Sequence, residues 1–406
     1  MPGEQTVRFL DRATPPHIGT LIALTGASAL AMNLFLPSLP GMAAHFGTTP
    51  AVIGLSVGVY LFVNAVLQMV IGPVSDRYGR RRVILAGMAI YLVATLGCLA
   101  APNVLVFLSF RMMQAAVAVA MVLSRAVVRD TTPPDQAGAR IAYVTMGMAV
   151  VPMIGPAIGG WIEQHHGWQG NFWLLFAVGL AVLALTWADL GETAQPSGIT
   201  LAQQYREVPE LLKSPRFWGY SIATLFAAGS FFAFLGGAPF VAVNVFRLEP
   251  QELGLWFASP SIGYFLGNFI AGRYSARIGI NRMVLLGLFM TLLGIGPSLA
   301  LELAGRQQLV TFFALMVPVG IGNGMTIPNG VSGALSVRPH LAGTASGLSG
   351  AMMLAGGAAL SALSGLALKD GTSALPLVLL MAASTLAGIA AIGLVMRREA
   401  RLGGAI

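Results

Sequence analysis

The sequence predicts an all-α polytopic membrane protein with twelve transmembrane helices arranged in two six-helix halves. Of the 406 residues, 56% are hydrophobic and only 9% are charged, and the mean hydropathy is +0.77. A soluble domain of this length needs a far more charged surface. Apolar segments long enough to span a bilayer recur along the chain, and one short motif occurs twice.

Each apolar segment contains roughly 20 residues, the length that crosses the hydrocarbon core of a bilayer. The twelve predicted spans lie near 18–39, 51–73, 83–101, 104–126, 138–162, 171–189, 216–241, 252–272, 283–301, 307–332, 341–366 and 373–396. The longest polar stretch separates the sixth from the seventh. We therefore predict an N-terminal half over 1–190, a cytoplasmic linker over 191–215 and a C-terminal half over 216–406.

The linker itself has a helical pattern. Leu201, Tyr205, Val208 and Leu212 recur at helical spacing after Thr200, a favourable N-cap residue. This pattern predicts an amphipathic helix at the membrane interface, with a regulatory role as the alternative.

Basic residues predict the orientation. Only Arg247, Arg306 and Lys369 fall on one set of loops, and Arg111 falls inside a span. The other nineteen are Arg8, Arg12, Arg77, Arg80, Arg81, Arg82, Arg125, Arg129, Arg140, Arg206, Lys213, Arg216, Arg273, Arg277, Arg282, Arg338, Arg397, Arg398 and Arg401. The positive-inside rule then predicts a multi-pass protein with both termini in the cytoplasm. The net charge of +8 reflects this topology and contact with the lipid bilayer, not nucleic acid.

Several classes of chemistry are not predicted. The single cysteine, Cys98, excludes an intrachain disulfide, and the five histidines lack metal-ligand spacing. No clustered nucleophile or acid pair marks an active site, and no ATP-binding motif is present. The sequence therefore predicts neither an enzyme nor a bound cofactor. The polar start of the chain lacks the layout of a cleaved signal and predicts a short cytoplasmic tail.

One motif is repeated in the two halves. "GPVSDRYGRRRVILAG" begins at Gly72 and "GRYSARIGINRMVLLG" begins at Gly272, and each joins the second span of its half to the third. Two parallel six-span repeats are typical of secondary transporters that work by rocking. Ala276 stands in the second repeat where Asp76 stands in the first.

These motifs resemble those of the major facilitator superfamily. The superfamily's loop 2–3 motif is matched by Gly72, Asp76, Arg77, Gly79, Arg80 and Arg81. "RMMQ" (111–114) resembles the fourth-span motif of 12-spanner drug:proton antiporters, with Ala115 replacing a glycine. "GMAVVPMIGPAIGG" (147–160) resembles their fifth-span antiporter motif. "NLFLPSLP", "RAVVRD" and "AGTASGLSG" look most like the Bcr/CflA drug-resistance branch. The resemblance implies a major facilitator fold and alternating access.

The loop 2–3 motif is interpreted as a conformational latch. Asp76 at the membrane edge can accept a hydrogen bond from a helix N-terminus or an arginine in one conformational state and release that partner in the other. The alternative is a positively charged turn without a switching role. Because Ala276 replaces the acid, the second repeat predicts a weaker latch.

The antiporter motif predicts a bent fifth helix with a flat face. Small residues allow close helix approach and prolines bend the helix. The residues concerned are Gly147, Pro152, Gly155, Pro156, Gly159 and Gly160. We predict a tight seal between the halves; ordinary small-residue packing is the alternative.

Arg111 is the only charged residue well inside a predicted span. It lies roughly 12 Å from the outer end of span 4, at 1.5 Å per residue. A charge at that depth is costly, so we expect it to face a wet cavity, with Gln114 on the same helix face. The alternative is a structural arginine bonded to backbone carbonyls. By resemblance, the corresponding arginine lines the central cavity and takes part in substrate and proton coupling.

Other polar and aromatic residues are weaker cavity candidates. Asn33 is polar within span 1, and Tyr60, Asn64 and Gln68 recur every four residues in span 2. These side chains contact either substrate or neighbouring helices. Phe232 and Tyr264, with Phe231, Phe234 and Trp256, are candidates for an aromatic wall, although such residues also face lipid or core. Asn323 lies in "GIGNGMTIPNG", which we interpret as a flexible gate helix in span 10.

No predicted span carries an acid in its middle. The Bcr/CflA pattern places an aspartate where this chain has Asn33, and an amide cannot titrate. Three interpretations stay open. The cavity is net positive and prefers neutral or anionic substrates, which we favour. Coupling otherwise runs through a span-end acid such as Asp76 or Asp189, or through a proton on the substrate. The third is uniport.

The predicted function is export of small, apolar compounds or drugs by a secondary transporter of the bacterial inner membrane. Its partners are a small-molecule substrate and the lipid bilayer, with protons left open, and we expect a monomer. One alternative is a specific metabolite carrier, an uptake system or a single-product exporter, not necessarily proton-coupled. Another is a membrane enzyme or lipid flippase.

Overall fold

The computed structural model describes residues 7–132, 134–194, 209–338, 342–368 and 373–403, and every regular element among them is helical. Within these residues, ten helices are long and apolar enough to cross a bilayer. The two other predicted spans are the first arm of a long kinked helix and the less apolar helix Ala258–Ile278. The prediction of an all-α polytopic membrane fold is thereby confirmed. Most of the predicted linker helix, including Leu201, Tyr205 and Val208, lies outside the described residues.

The spans of the N-terminal half are numbered in chain order. Span 1 comprises Ile18–Asn33, a 3₁₀ turn over Leu36–Ser38 and the short helix Leu39–His45. Spans 2 and 3 are Pro50–Tyr78 and Arg80–Leu99. Span 4 comprises Val104–Gln114, the turn Ala115–Val117 and Ala118–Thr131. Spans 5 and 6 are the two arms of Pro134–Asp189, on either side of Gly167.

The C-terminal half continues the numbering. Span 7 is Pro215–Asn244, and span 8 comprises Pro250–Trp256 and Ala258–Ile278. Span 9 is Ile280–Leu303, and span 10 comprises Leu309–Ala314 and Met316–Ser336. Spans 11 and 12 are Ala342–Ala367 and Leu375–Gly403. We call the face at which spans 1, 3, 7 and 9 begin the terminal face, and the other the opposite face.

Local chemistry determines where the helices begin. The side chains of Thr49, Asn103 and Ser214 each accept a hydrogen bond from a backbone N–H of the first turn that follows. These N–H groups have no partner within the helix, so the caps satisfy them. Pro50 and Pro215 follow two of these caps at the first helical position, where a missing N–H costs nothing.

Several helices extend beyond their predicted ends, among them spans 2, 4, 8 and 12. Span 2 continues to Tyr78 and span 4 to Thr131, so most of the predicted loop 2–3 motif is helical. Hydropathy marks the lipid-embedded part of a helix, and polar residues continue the same helix into the interface. Only Gly79 separates spans 2 and 3. Its φ of +95° is a conformation that side chains larger than glycine rarely adopt.

Burial separates inner from outer spans. Span 7 is the most enclosed, with 83% of its apolar window buried. By contrast, Val93 of span 3, Trp187 of span 6, Leu293 of span 9 and Leu394 of span 12 are all more than half exposed. Large apolar side chains exposed in this number are expected to face lipid. The interior between the halves is therefore formed around span 7 and its neighbours.

Candidate functional site

Arg111 of span 4 is fully buried among three helices of the N-terminal half. Its Nε donates to the Ser56 carbonyl of span 2 at 3.2 Å. Its Nη2 donates to the Ala31 carbonyl of span 1 at 2.9 Å. Its Nη1 donates to Oε1 of Gln114. The guanidinium thus connects spans 1, 2 and 4, and its side chain has no exposed surface in this conformation.

Gln114 extends this network to a fourth helix. It is also fully buried, and its Nε2 donates to Oγ1 of Thr95 in span 3 at 2.8 Å. The Thr95 hydroxyl donates in turn to the Tyr91 carbonyl at 2.7 Å. The predicted neighbourhood of Arg111 and Gln114 on one helix face is present, and together they hold four of the six N-terminal spans.

Two aromatic rings and a helix end surround the charge. The Arg111 Cζ lies 4.3 Å from the ring centroid of Phe35 and 4.1 Å from that of Tyr60. Aromatic faces carry negative partial charge and attract a guanidinium. Ala31 lies in the last turn of the helix Ile18–Asn33, whose final carbonyls lack intrahelical donors.

None of the ion pairs within the described residues involves Arg111. Carbonyl dipoles, the amide of Gln114 and the two rings compensate the charge in place of a carboxylate. The bonds to the Ser56 and Ala31 carbonyls are those that the structural interpretation of Arg111 expects, and contact with substrate stays a prediction.

The other polar candidates of spans 1 and 2 lie around this network. Asn33 is buried and donates to the Ala29 carbonyl at 2.7 Å, so its amide is bonded within its own helix. Gln68 donates to Oδ1 of the buried Asn64 at 3.0 Å. The Tyr60 hydroxyl is buried, and no hydrogen bond to it is present among the described residues. It can therefore accept a new partner, as can the nearby buried hydroxyl of Ser56.

The predicted aromatic wall divides into separate groups. Phe234 and Trp256 pack against the phenylalanines of span 10 at 6.3 and 5.4 Å from the Phe313 ring centroid. Phe232 instead packs against span 11 at Gly357, and Tyr264 is half-buried on span 8. Asn323 of span 10 is buried and donates to the Val319 carbonyl at 3.0 Å. Its Oδ1 has no hydrogen-bond donor within the described residues.

Span 5 packs against span 8 of the other half at the backbone level. A Cβ on Gly160 would meet the carbonyl oxygen of Pro250, and one on Gly254 would meet that of Pro156. The Ser261 hydroxyl donates to the Pro152 carbonyl at 3.0 Å. That carbonyl lacks its usual helical donor because residue 156, four positions on, is a proline. The opposite face is therefore closed between spans 5 and 8.

The same motif also packs against span 1. A Cβ on Gly159 would meet the Leu34 carbonyl, and one on Gly155 would lie 3.8 Å from Cβ of Asn33. The motif glycines thus allow close contact with two spans, span 1 of the same half and span 8 of the other half. The surroundings of Gly147 lie outside the described part of the structure.

Arg80 is the centre of the predicted latch. It is buried, and its guanidinium pairs with Asp76 at 2.5 Å and with Asp130 of span 4 at 3.1 Å. The same side chain donates to the Ser75 hydroxyl and to the Gly72 carbonyl. Arg81 donates to the Leu190 carbonyl at 2.7 Å, while Arg77 is exposed. The motif therefore connects spans 2, 3, 4 and 6 within one half.

Glu192 completes this cluster, and sequence reasoning missed it. Its Oε1 accepts the Arg80 backbone N–H at 2.7 Å, at the start of span 3. A Cβ on Gly79 would meet this carboxylate. An anion is favourable at a helix N-terminus. The second half has a related arrangement, in which Glu399 of span 12 accepts from Asn281 near the start of span 9 and pairs with Arg216 at 2.6 Å.

The remaining span-end acids are bonded to neutral groups or incompletely paired. Asp189 is fully buried and accepts from the backbone N–H of Leu10 and His17 at 2.7 and 2.8 Å. Glu302 accepts from Ser373 and Ala374 at the start of span 12. Oε2 of Glu163 is buried without a hydrogen-bond partner in the described residues. The predicted coupling role of such an acid stays a prediction.

Replacing Arg80 by alanine is expected to destabilise the fold. Asp76 and Asp130 would be left largely buried without their cation, and breaking such a pair costs about 3–5 kcal/mol. The midpoint of thermal unfolding in detergent should fall well below that of the exposed control Arg398→Ala. Equal midpoints for the two variants would show that the cluster does not hold the helices together.

Comparison with known proteins gives matches along the whole chain. A sequence profile described as "Major Facilitator Superfamily" matches residues 21–362 and again 244–405. The chloramphenicol resistance protein of Pseudomonas aeruginosa is 30% identical over 320 residues, 78% of this chain and 76% of that protein. The bicyclomycin resistance protein homolog of Haemophilus influenzae is 26% identical over 359 residues, 87% and 89% of the two chains.

A solved structure has the same architecture. The crystal structure of a bacterial homolog of the human lysosomal transporter Spinster, in an inward-facing and occupied conformation, superposes with a TM-score of 0.75. It covers 94% of this chain and 96% of that one at 18% sequence identity. At this identity the likeness concerns the fold alone.

Proposed function

This chain belongs to the Major Facilitator Superfamily of membrane transporters, and from that premise we propose that it exports small apolar compounds, including antibiotics, by alternating access. The observation that carries the proposal is that relatives named for resistance to two different antibiotics match it over most of both chains. The resemblance to the Bcr/CflA group is confirmed by these relatives. The protein is a transporter and not an enzyme.

The proposed transport cycle alternates the two closures of the central cavity. The contacts of Gly160 with Pro250 and of Ser261 with Pro152 support closure at the opposite face in this conformation. Rocking of the halves would separate spans 5 and 8 and bring their terminal ends together. Span 5 is then the seal and the Arg80 cluster the latch.

The proposed substrates are neutral or anionic. The centre of the N-terminal half contains a buried cation, and no described residue near it supplies a carboxylate. A lipophilic cation would therefore meet like charge there, whereas a neutral or anionic compound would not. Asn33, Tyr60, Asn64, Gln68, Phe232, Tyr264 and Asn323 are proposed to supply polar and aromatic contacts.

The proposed setting is the bacterial inner membrane, with both termini in the cytoplasm. The multi-pass fold and the bacterial relatives support the membrane assignment. The excess of arginine on the terminal face supports the orientation. A monomer is the proposed working unit, and the coupling ion is left open.

A specific metabolite carrier is the second candidate. Asn33 is an amide bonded to its own helix, so span 1 has no titratable group at the position where the Bcr/CflA pattern has an acid. A carrier for one compound, without proton coupling, would need none. It would share the fold and differ in having a narrow substrate range.

Growth of an efflux-deficient bacterium on a panel of antibiotics distinguishes the two candidates. Wild type, Arg111→Ala and an empty vector are compared, with membrane levels of the two proteins matched. We expect wild type to raise the inhibitory concentration of several unrelated neutral or anionic drugs and the variant to lose this protection. Protection against no drug at good expression would contradict drug export and favour the metabolite carrier. Protection against lipophilic cations that Arg111→Ala leaves unchanged would contradict the charge argument.

A further inference from the structure

A basic cavity opens at the terminal face of the N-terminal half. Its volume is about 580 Å³, and it lies between the chain segment before span 1, the turn from span 2 to span 3 and the end of span 6. The lining consists of Arg12, Asp76, Arg77, Tyr78, Gly79, Arg81, Arg82, Gly191, Glu192 and Ala194. Neither the seal nor the central network of Arg111 includes this cavity.

The cavity has an excess of positive charge. Arg12, Arg77, Arg81 and Arg82 line it, and none has a carboxylate within 4.0 Å among the described residues. The two acids of the lining already have partners. Asp76 pairs with Arg80, which is not among the lining residues, and Glu192 accepts three backbone N–H groups. The four guanidinium groups of the lining therefore outnumber its two carboxylates.

Several side chains that line the cavity are held in place by contacts with neighbouring groups. Arg81 is held by bonds from Nε to the Leu190 carbonyl and from Nη2 to the Trp187 carbonyl. The Arg12 guanidinium stacks on the Trp187 ring, 3.9 Å from its centroid. Arg77 lies over the Tyr78 ring at 5.4 Å. Two of the cations are thus pre-positioned on aromatic faces, which lowers the entropy cost of binding.

Its depth corresponds to the headgroup layer. Trp187 and Tyr78 are 57% and 56% exposed, and they lie at the end of spans 6 and 2. Tryptophan and tyrosine with this exposure concentrate at the membrane interface. Arginine pockets at the same level bind the phosphate groups of lipids, because guanidinium forms paired hydrogen bonds to phosphate.

We propose that this cavity binds the phosphate of an anionic phospholipid headgroup. The lipid would contact the segment before span 1, the span 2–3 turn and the end of span 6 together. A soluble phosphate compound could form the same hydrogen bonds to these arginines as a lipid headgroup. We favour a lipid because the exposed aromatic residues Trp187 and Tyr78 place the cavity at the membrane interface. The proposal does not depend on which compound the protein transports.

The internal repeat supplies a matched control. Arg77 and Arg82 correspond to Arg277 and Arg282 in the second repeat, and all four side chains are exposed. The double variants R77Q/R82Q and R277Q/R282Q therefore make the same change in net charge at equivalent places. Both keep Arg80 and Arg81, whose bonds hold the helices.

The test measures lipid bound to the purified full-length protein by native mass spectrometry. Dioleoylphosphatidylglycerol is the probe, with dioleoylphosphatidylcholine and glycerol 3-phosphate as comparisons. We expect phosphatidylglycerol to bind wild type and R277Q/R282Q alike, and R77Q/R82Q about 30-fold more weakly. Equal losses of affinity in both variants would show general attraction of the lipid to a positively charged surface and would overturn the specific site. No loss of affinity in R77Q/R82Q would also overturn the proposal. Glycerol 3-phosphate binding as tightly as the lipid would overturn the lipid source, and equal binding of phosphatidylcholine would overturn the requirement for a net anion.

Discussion

Replacing Arg111 by alanine is expected to abolish transport and to destabilise the folded protein. The substitution leaves the Ala31 carbonyl and Oε1 of Gln114 without the donor of Arg111 in a buried site, and the Ser56 carbonyl keeps only its bond within span 2. Each buried acceptor left unsatisfied costs about 1–3 kcal/mol. The space between the Phe35 and Tyr60 rings would also lose its filling side chain. Because the network connects four spans, its loss should loosen the whole N-terminal half.

Arg111→Lys separates the structural contribution from a direct contact with substrate. Lysine keeps the charge but cannot reach three acceptors in the fixed fork of a guanidinium. Thermal unfolding in detergent and uptake into proteoliposomes are measured for both variants and for the exposed control Arg397→Ala. If Arg111 contacts substrate, the lysine variant should alter KM for anionic compounds more than for neutral ones. Unchanged unfolding and unchanged transport in Arg111→Ala would contradict both roles.

The sequence was sufficient to predict the fold and to predict which residues within a motif lie next to each other. Apolar segments predict spans because a bilayer imposes a fixed length, and helical periodicity places Gln114 beside Arg111. Helix ends were less predictable. Span 2 continues through Asp76 and Arg77 to Tyr78, because polar residues in the interface do not interrupt helical hydrogen bonding.

Long-range partners explain most of what sequence reasoning missed. The charge of Arg111 is balanced by the end of one helix and by rings from spans 1 and 2, and none of these is close in sequence. Glu192 follows span 6 but bonds at the start of span 3, about a hundred residues earlier. Local periodicity carries no information about such contacts. The second half offers a signal in retrospect, because Glu399 lies near the end of span 12 and Glu192 lies just after the end of span 6.

Replacing Gly160 by alanine is expected to slow transport about 10-fold or more, since overpacking a close contact costs about 1–3 kcal/mol. A Cβ at this position would meet the Pro250 carbonyl, which belongs to the backbone and cannot rotate away. The overlap exists only while spans 5 and 8 are together. With them apart, alanine is a better helix former than glycine. The substitution should therefore disfavour one conformation without unfolding the protein.

Distances between spin labels on Ile158→Cys and Leu255→Cys measure this effect directly. Both side chains are exposed near the contact, and the native Cys98 is buried, so the introduced thiols label selectively. We expect Gly160→Ala to shift the distribution towards longer distances. Gly296→Ala, with no atom within 4 Å of its Cβ, should leave the distances and transport unchanged. If Gly160→Ala also left both unchanged, closure at the opposite face would not require backbone contact between spans 5 and 8. If it slowed transport without changing the distances, Gly160 would act within span 5 and not as part of the seal between the halves.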